Sequence, residues 1–188
     1  MSKENLIANS EDGKEILRIL ESSAADGNIE LIFSRRPDAY ASYMKESNDV
    51  RVFISKKQNR AVSTCSEIIR DLYINGEINK TAYICGLKKD AKYDGFGFGS
   101  KFFRELYRDD IDRYFCSVLA DNNNAIKMFS KKRSIISLNR ITDYKTYIIN
   151  PNIKFKSQKH SYDFCKATKN DVPELLNFLN NEGKKKDL

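Results

Sequence analysis

Histidine occurs once in this chain, at His160, and cysteine four times, at Cys65, Cys85, Cys116 and Cys165. The cysteines are widely spaced, form no Cys-x-x-Cys pair and have no histidine at ligand spacing, which argues against a zinc site and a disulfide framework. No metal is expected. Apolar runs are short as well, none approaching the roughly 18 residues needed to cross a bilayer. The opening MSKENLIANSEDGK has no apolar core of the signal-peptide kind. A cytoplasmic protein with no membrane partner is the expectation. Acidic residues are outnumbered, 26 against 33 lysines and arginines, giving a net charge of +7. That favours an anionic partner: a phosphorylated cofactor, nucleic acid or an acidic surface. The basic cluster Lys127, Lys131, Lys132 and Arg133 has no aromatic stacking partners, so a nucleic-acid role is not expected. Gly-Lys-Ser/Thr is absent, which excludes a phosphate-binding NTPase loop.

At 188 residues the chain is long enough for one full domain and part of another. It is organised around Lys80 to Phe103, KTAYICGLKKDAKYDGFGFGSKFF. Thr81 to Leu87 reads as a strand, followed by a polar turn, the alternate glycines Gly95, Gly97 and Gly99, and a helix opening at Ser100. With no Cβ at every second position, successive N–H groups can converge on one point, and the helix start adds unpaired donors. Such a point suits a phosphate or pyrophosphate. A dinucleotide-binding loop fits less well, because Ser100 stands where its third glycine belongs and three antiparallel strands precede it.

Upstream, Leu6 to Ala8 is a short strand, Ser10-Glu11-Asp12 a cap, and Ile16, Leu17, Ile19 and Leu20 one face of a helix. Asn28 to Phe33 reads as a strand. Pro37 opens a helix through Met44. Val50 to Ser55 and Ala61 to Ile74 are strands, and Asn75-Gly76 is a hairpin turn leading into the organising strand. Downstream, the helix carrying Phe102, Phe103, Leu106 and Tyr107 leads to a strand from Arg113 to Leu119, which makes a right-handed crossover and one parallel pair. A helix from Asp121 to Lys132 and closing strands at Ile135 to Leu138 and Tyr144 to Ile149 complete the unit.

Residues 167–179 repeat the pattern of residues 8–20, with Ala8, Asp12, Glu15, Leu17 and Leu20 matched by Ala167, Asp171, Glu174, Leu176 and Leu179. The division expected is a domain over 1–150 and a tail over 151–188 that opens a second, truncated copy or docks as a C-terminal helix. Leu175, Leu176, Phe178 and Leu179 then need cover from this domain or from another chain, as in a homodimer.

With these elements in place, the chain resembles the GNAT superfamily of acyl-CoA-dependent N-acetyltransferases over about residues 4–150. Tyr93-Asp94-Gly95-Phe96-Gly97-Phe98-Gly99-Ser100 is similar to that family's pyrophosphate loop, Arg/Gln-x-x-Gly-x-Gly/Ala. Asn122-x-x-Ala125-x-x-Met128-Phe129 is similar to its later cofactor-binding helix. The resemblance implies an α/β fold: a mixed, mostly antiparallel sheet with helices on both faces and one parallel pair splayed around acetyl-CoA. It implies pantetheine contacts from the backbone of Leu87, Lys88 and Lys89, pyrophosphate contacts from the loop N–H groups, and a primary amine as acceptor in a ternary complex.

Two departures stand out. Asp94 replaces the usual first arginine or glutamine, and Phe129 replaces a tyrosine that protonates the departing thiolate. Glu67 and Asp71 share one side of their strand with Cys65 and Tyr73, and Glu67 is the candidate base. Tyr83, on the side of Cys85 and Leu87, is the candidate site hydroxyl. Cys85 has no neighbouring histidine to activate it as a nucleophile. A β-bulge near Gly86 would free a backbone donor for the thioester carbonyl. The alternative function is a catalytically degenerate acyl-CoA-binding or regulatory domain.

Overall fold

The computed structural model describes residues 4–22, 32–93, 98, 100–130, 138–143, 145 and 165–185. Strand β1 (Glu4–Ile7) runs antiparallel to β2 (Asp49–Lys57). The chain then turns at Gln58-Asn59 into β3 (Arg60–Ile74) and at Asn75-Gly76 into β4 (Glu77–Lys89). Both two-residue turns have positive φ at both positions, 51° and 61° in the first and 52° and 80° in the second. That geometry matches the twist of the flanking strands, and asparagine and glycine tolerate it. The meander read from the sequence is therefore present. A fifth strand, β5 (Arg113–Phe115), lies parallel to β4, and the sheet order is β1-β2-β3-β4-β5.

Alternation along β2 divides the core into two layers. Val52 and Ile54 meet Ile16 and Leu20 of α1 (Gly13–Leu20) and Ala39 and Tyr43 of α2 (Ala39–Tyr43) on one face. Phe53 meets Phe102 and Leu106 of α3 (Ser100–Leu106) on the other. Ile16, Ile19 and Leu20 are at most 2% exposed, and burial of each side chain stabilises the α1 contact by roughly 1.5–3 kcal/mol. The α2 helix starts two residues later than Pro37, because Asp38 caps it by accepting from Ala41 N at 2.9 Å.

Four expected strands differ. Ile32 and Phe33 are not in a strand, and residues 28–31 lie outside the described residues. β5 stops at Phe115, with 116–119 irregular. Leu138 is not in a strand but donates its N–H to Phe129 O at 3.1 Å, and the rest of the two closing strands lies outside the described residues apart from Lys145. Helix α4 (Asn123–Phe129) is shorter than its expected span and begins after Asn122.

The tail carries α5 (Val172–Gly183), preceded by a single 3-10 turn with a reciprocal cap between Thr168 and Asp171. The same turn and the same reciprocal cap, between Asn9 and Asp12, precede α1. The local structure thus repeats at the offset read from the sequence. Its surroundings do not, since Leu175, Leu176, Phe178 and Leu179 are 44–61% exposed. No helix among the described residues is long and apolar enough to cross a membrane.

Candidate functional site

Ladder pairing between β3 and β4 slips once. Thr64 lies opposite Lys88 and Ser66 opposite Cys85, so Gly86 and Leu87 together face the single residue Cys65. This is a β-bulge at the expected position, and Gly86 adopts φ +59° within it. An extra residue in one strand takes local N–H groups out of the ladder and redirects them. The bulge also changes which side each residue faces. Tyr83 and Cys85 pack with the α1 and α2 layer, whereas Leu87 packs with Phe53, Cys65 and Phe102 under α3. The shared side expected for Tyr83, Cys85 and Leu87 is corrected accordingly, since one inserted residue reverses the parity of all that follow.

On its opposite edge β4 pairs with β5 only from Thr81 to Tyr83, against Arg113 to Phe115. Among the described residues no rung continues beyond, so the edge of β4 from Ile84 onward, bulge included, is left without a β5 partner. Tyr83 stacks on Phe115 at the last rung, with ring centroids 5.0 Å apart. An apolar pocket beside this point is lined by Ile84, Phe103, Leu106, Tyr114, Phe115 and Phe129 together with Leu138. Phe129 therefore stands in an apolar wall, surroundings in which a phenol would need a hydrogen-bond partner.

At its far end β4 runs into Asp90, a residue 3% exposed. Arg18 Nη1 and Arg60 Nη2 donate to Asp90 Oδ2, at 2.5 and 3.3 Å, and Lys92 N donates to Oδ1 at 2.9 Å. Burial alone would push this carboxyl up, but the Lys92 N–H and the two guanidinium groups outweigh it and hold Asp90 below the ordinary 3.8. Asp90 fixes the exit of β4 just ahead of the glycine stretch. The sequence reading missed it, because neither alternation nor a motif marks a carboxylate whose partners come from residues 18 and 60.

The residues expected to hold a cofactor are placed as follows. Lys88 and Lys89 form the last rungs of β4, opposite Thr64 and Ser63. Asp94, Gly95, Phe96, Gly97 and Gly99 lie outside the described residues. Phe98 stacks on Phe102 with centroids 3.9 Å apart, and Ser100 is the first residue of α3. Asn122 Oδ1 accepts from Ala125 N at 3.0 Å, so the Asn122 side chain caps α4.

The two candidate catalytic residues are not brought together. Tyr83 faces the α1 and α2 layer, while Glu67 is fully buried on the side of α3 and accepts from Arg51 Nε. Arg51 also donates from Nη2 to Leu106 O at 3.0 Å, and Tyr114 Oη donates to the same carbonyl at 3.2 Å. Glu67 thus orients an arginine that caps the C-terminal end of α3. With no exposed surface it offers nothing to an incoming amine in this structure, which argues against the general-base role expected of it. Asp71, on the same strand, is exposed.

Cys85 is half-buried, and burial pushes its thiol up to about 11. Cys65 is fully buried, and burial raises it well above the ordinary value. Neither is a thiolate at neutral pH, so neither is a ready nucleophile.

No protein-family model matches the sequence, and no curated protein matches it. Solved structures do match the fold. An acetyltransferase from Trypanosoma brucei superposes with a TM-score of 0.55 at 14% identity, over 78% of this chain and 99% of that one. A ribosomal-protein-alanine N-acetyltransferase from Brucella melitensis biovar Abortus 2308 gives 0.52 at 12% identity, over 80% and 99%. An aminoglycoside acetyltransferase from an uncultured soil metagenomic sample, in complex with sisomicin, gives 0.50 at 18% identity, over 78% and 95%. With its bulged strand and, among the described residues, one parallel pair, the chain has the fold that these acetyltransferases share.

Proposed function

We propose that the protein is a GNAT-type N-acetyltransferase that moves an acetyl group from acetyl-CoA to a primary amine within a ternary complex. The observation that carries this reading is the bulge at Gly86 on a strand whose outer edge, among the described residues, has no strand partner beyond Tyr83. An open edge offers backbone groups to a pantetheine chain, and a redirected N–H offers a donor to a thioester carbonyl. In this reading Leu87, Lys88 and Lys89 contact the pantetheine through their backbone. The loop from Asp94 to Ser100, held at its base by Asp90, takes the pyrophosphate. Asn122 and Ala125 build the start of the helix that flanks the cofactor, with Phe129 as apolar wall.

Acetyl-CoA supplies an activated acyl group with a stable thiolate as leaving group. The amine nitrogen bonds to the carbonyl carbon, the C–S bond breaks, and water takes up the amine proton and protonates the thiolate. Direct transfer fits the raised thiols of Cys85 and Cys65, which make both poor nucleophiles at neutral pH. Much of the rate then comes from holding amine and thioester together. Acceptors among structurally similar proteins include an aminoglycoside and a protein alanine, so both classes belong in a first screen. For the tail we propose a copy of the opening unit of the domain, on the shared turn, cap and helix.

The test is a thermal-unfolding titration with acetyl-CoA, with NAD and a short DNA duplex as controls. At about 100 times its dissociation constant a ligand stabilises by roughly 2.7 kcal/mol, and acetyl-CoA alone is expected to do so. Thiol release with sisomicin, an alanine-terminated peptide and simple primary amines then tests turnover. Stabilisation without turnover on any amine would move the reading to an acyl-CoA-binding domain, and no stabilisation would remove it.

A further inference from the structure

We propose that Tyr43 is a positioning residue for acyl transfer, whose hydroxyl holds the left-handed turn at Gly86 and with it the direction of the bulge N–H groups. The inference rests on the acetyltransferase reading and assigns a role to a helix that carries no motif.

Its basis is a contact. Gly86 has φ +59°, and a Cβ built on it would stand 2.1 Å from Tyr43 Oη and 3.2 Å from Tyr43 Cζ. The hydroxyl therefore occupies the volume that any other residue would need for its side chain. Glycine satisfies two requirements here, a backbone conformation that a Cβ disfavours and the close approach of another group. Either could have been met alone, and their coincidence on the one inserted residue of β4 ties the bulge to α2.

Tyr43 cannot withdraw from that contact. It is the last residue of α2 and 1% exposed, and the Arg35 guanidinium covers its ring 3.9 Å from the centroid. Arg35 is itself held by Glu46 at 3.0 Å and Ser42 at 3.2 Å. Below the contact the interior is polar: Thr64 Oγ1 and Ser66 Oγ are buried without a hydrogen-bond partner among the described residues. Both face α1 and α2, since Thr64 lies opposite Ile54 and Ser66 opposite Val52. A hydroxyl lodged at this point keeps the bulge from relaxing toward that face.

The group is suited to such a role in chemical terms as well. Burial pushes the Tyr43 hydroxyl up to about 12, while the neighbouring Ser66 hydroxyl, close but without a well-formed hydrogen bond, works in the opposite direction. Tyr43 stays neutral at pH 7, so it places no negative charge beside a carbonyl that becomes negative during transfer. Without its contact the two peptide planes of the bulge are free to rotate, and a donor that must lie within about 3.1 Å of the developing oxyanion loses its aim.

The experiment reads the carbonyl directly and needs no acceptor. Acetyl-CoA labelled with carbon-13 at the thioester carbonyl is bound to the full chain, and its stretching band is isolated by difference infrared spectroscopy. In the wild type the band is expected below that of free acetyl-CoA. In Tyr43→Phe, which keeps the ring, the dissociation constant from calorimetry is expected within about threefold of wild type, with the downshift lost. Gly86→Ala is expected to lower Tm by steric conflict, and Tyr43→Phe in that background to raise it again. A full downshift in Tyr43→Phe overturns the inference, and so does an unshifted band in the wild type. No binding of acetyl-CoA to the wild type at all would sink the acetyltransferase reading itself. With a working acceptor, Tyr43→Phe should lower kcat about tenfold or more at unchanged KM for acetyl-CoA, within the range of losing one oxyanion donor.

Discussion

Arg18 on the first helix donates to Asp90 at the end of β4, with Nη1 2.5 Å from Oδ2, and its Nη2 donates to Ala61 O at 2.7 Å. One side chain thereby ties α1, β3 and the exit of β4 together. The carboxylate is buried and held below its ordinary value, so it is charged in the folded state at neutral pH.

Asp90→Asn tests that junction. A group whose folded value is depressed contributes stability above its unfolded value and loses it as pH falls through the folded one. The wild type should therefore exceed Asp90→Asn at pH 7 by about 1–3 kcal/mol, the worth of a hydrogen bond to a charged group. The gap should close progressively below pH 3.8. Denaturant melts at pH 7 and pH 3 measure both, and a gap independent of pH would deny the carboxylate its role. Because Asp90 anchors the approach to the glycine loop, acetyl-CoA affinity should also fall, by about tenfold or 1.4 kcal/mol.

Glu67 and Arg51 form a pair in which the carboxylate is fully buried, with Oε1 unpartnered among the described residues. Arg51→Met should destabilise by about 3–5 kcal/mol, because it strands a buried charge, and Arg51→Met with Glu67→Leu should recover much of that loss. Glu67→Gln should lower Tm yet leave the shape of the pH–rate profile unchanged, since the carboxylate is buried against Arg51. Loss of an ionisation from that profile would restore Glu67 as the base.

These residues show what a sequence discloses and what it withholds. Asn75-Gly76, the meander and the bulge at Gly86 follow from local chemistry: which residues accept positive φ, and where a run of alternation meets a glycine. Alternation also placed Glu67 with Cys65, correctly, yet nothing local says that α3 closes over that side. The parity of Leu87 was lost because a bulge adds one residue, and counting by twos cannot see the insertion. Tyr43 and Asp90 escaped notice because each acts through a partner more than 40 positions away in the chain.

Cys85 lies beside the bulge, and its burial makes it a slow nucleophile despite its position. Cys85→Ser should retain acetyl transfer within a few-fold. Alkylation of the wild-type residue by iodoacetamide should be slow at pH 7 and rise about tenfold per pH unit toward pH 11, since only the thiolate reacts. Fast labelling at pH 7, or accumulation of an S-acetyl adduct in mass spectra, would replace direct transfer with a covalent route.

Ile16 and Leu175 occupy matching positions in two copies of one local structure, the turn, reciprocal cap and helix that open residues 9–20 and 168–179. Their surroundings differ completely: Ile16 is 0% exposed against the sheet and Leu175 is 44% exposed. If helix propensity and capping set the cost of substitution, the two alanine variants should behave alike. If burial sets it, Ile16→Ala should cost about 2–5 kcal/mol, while Leu175→Ala should stay within about 0.5 kcal/mol, as for a surface site. Denaturant unfolding of the two variants under one condition separates the cases. A large loss at Leu175 would mean that its apolar face is covered in solution, and size measurement on the same sample would show whether a second copy covers it.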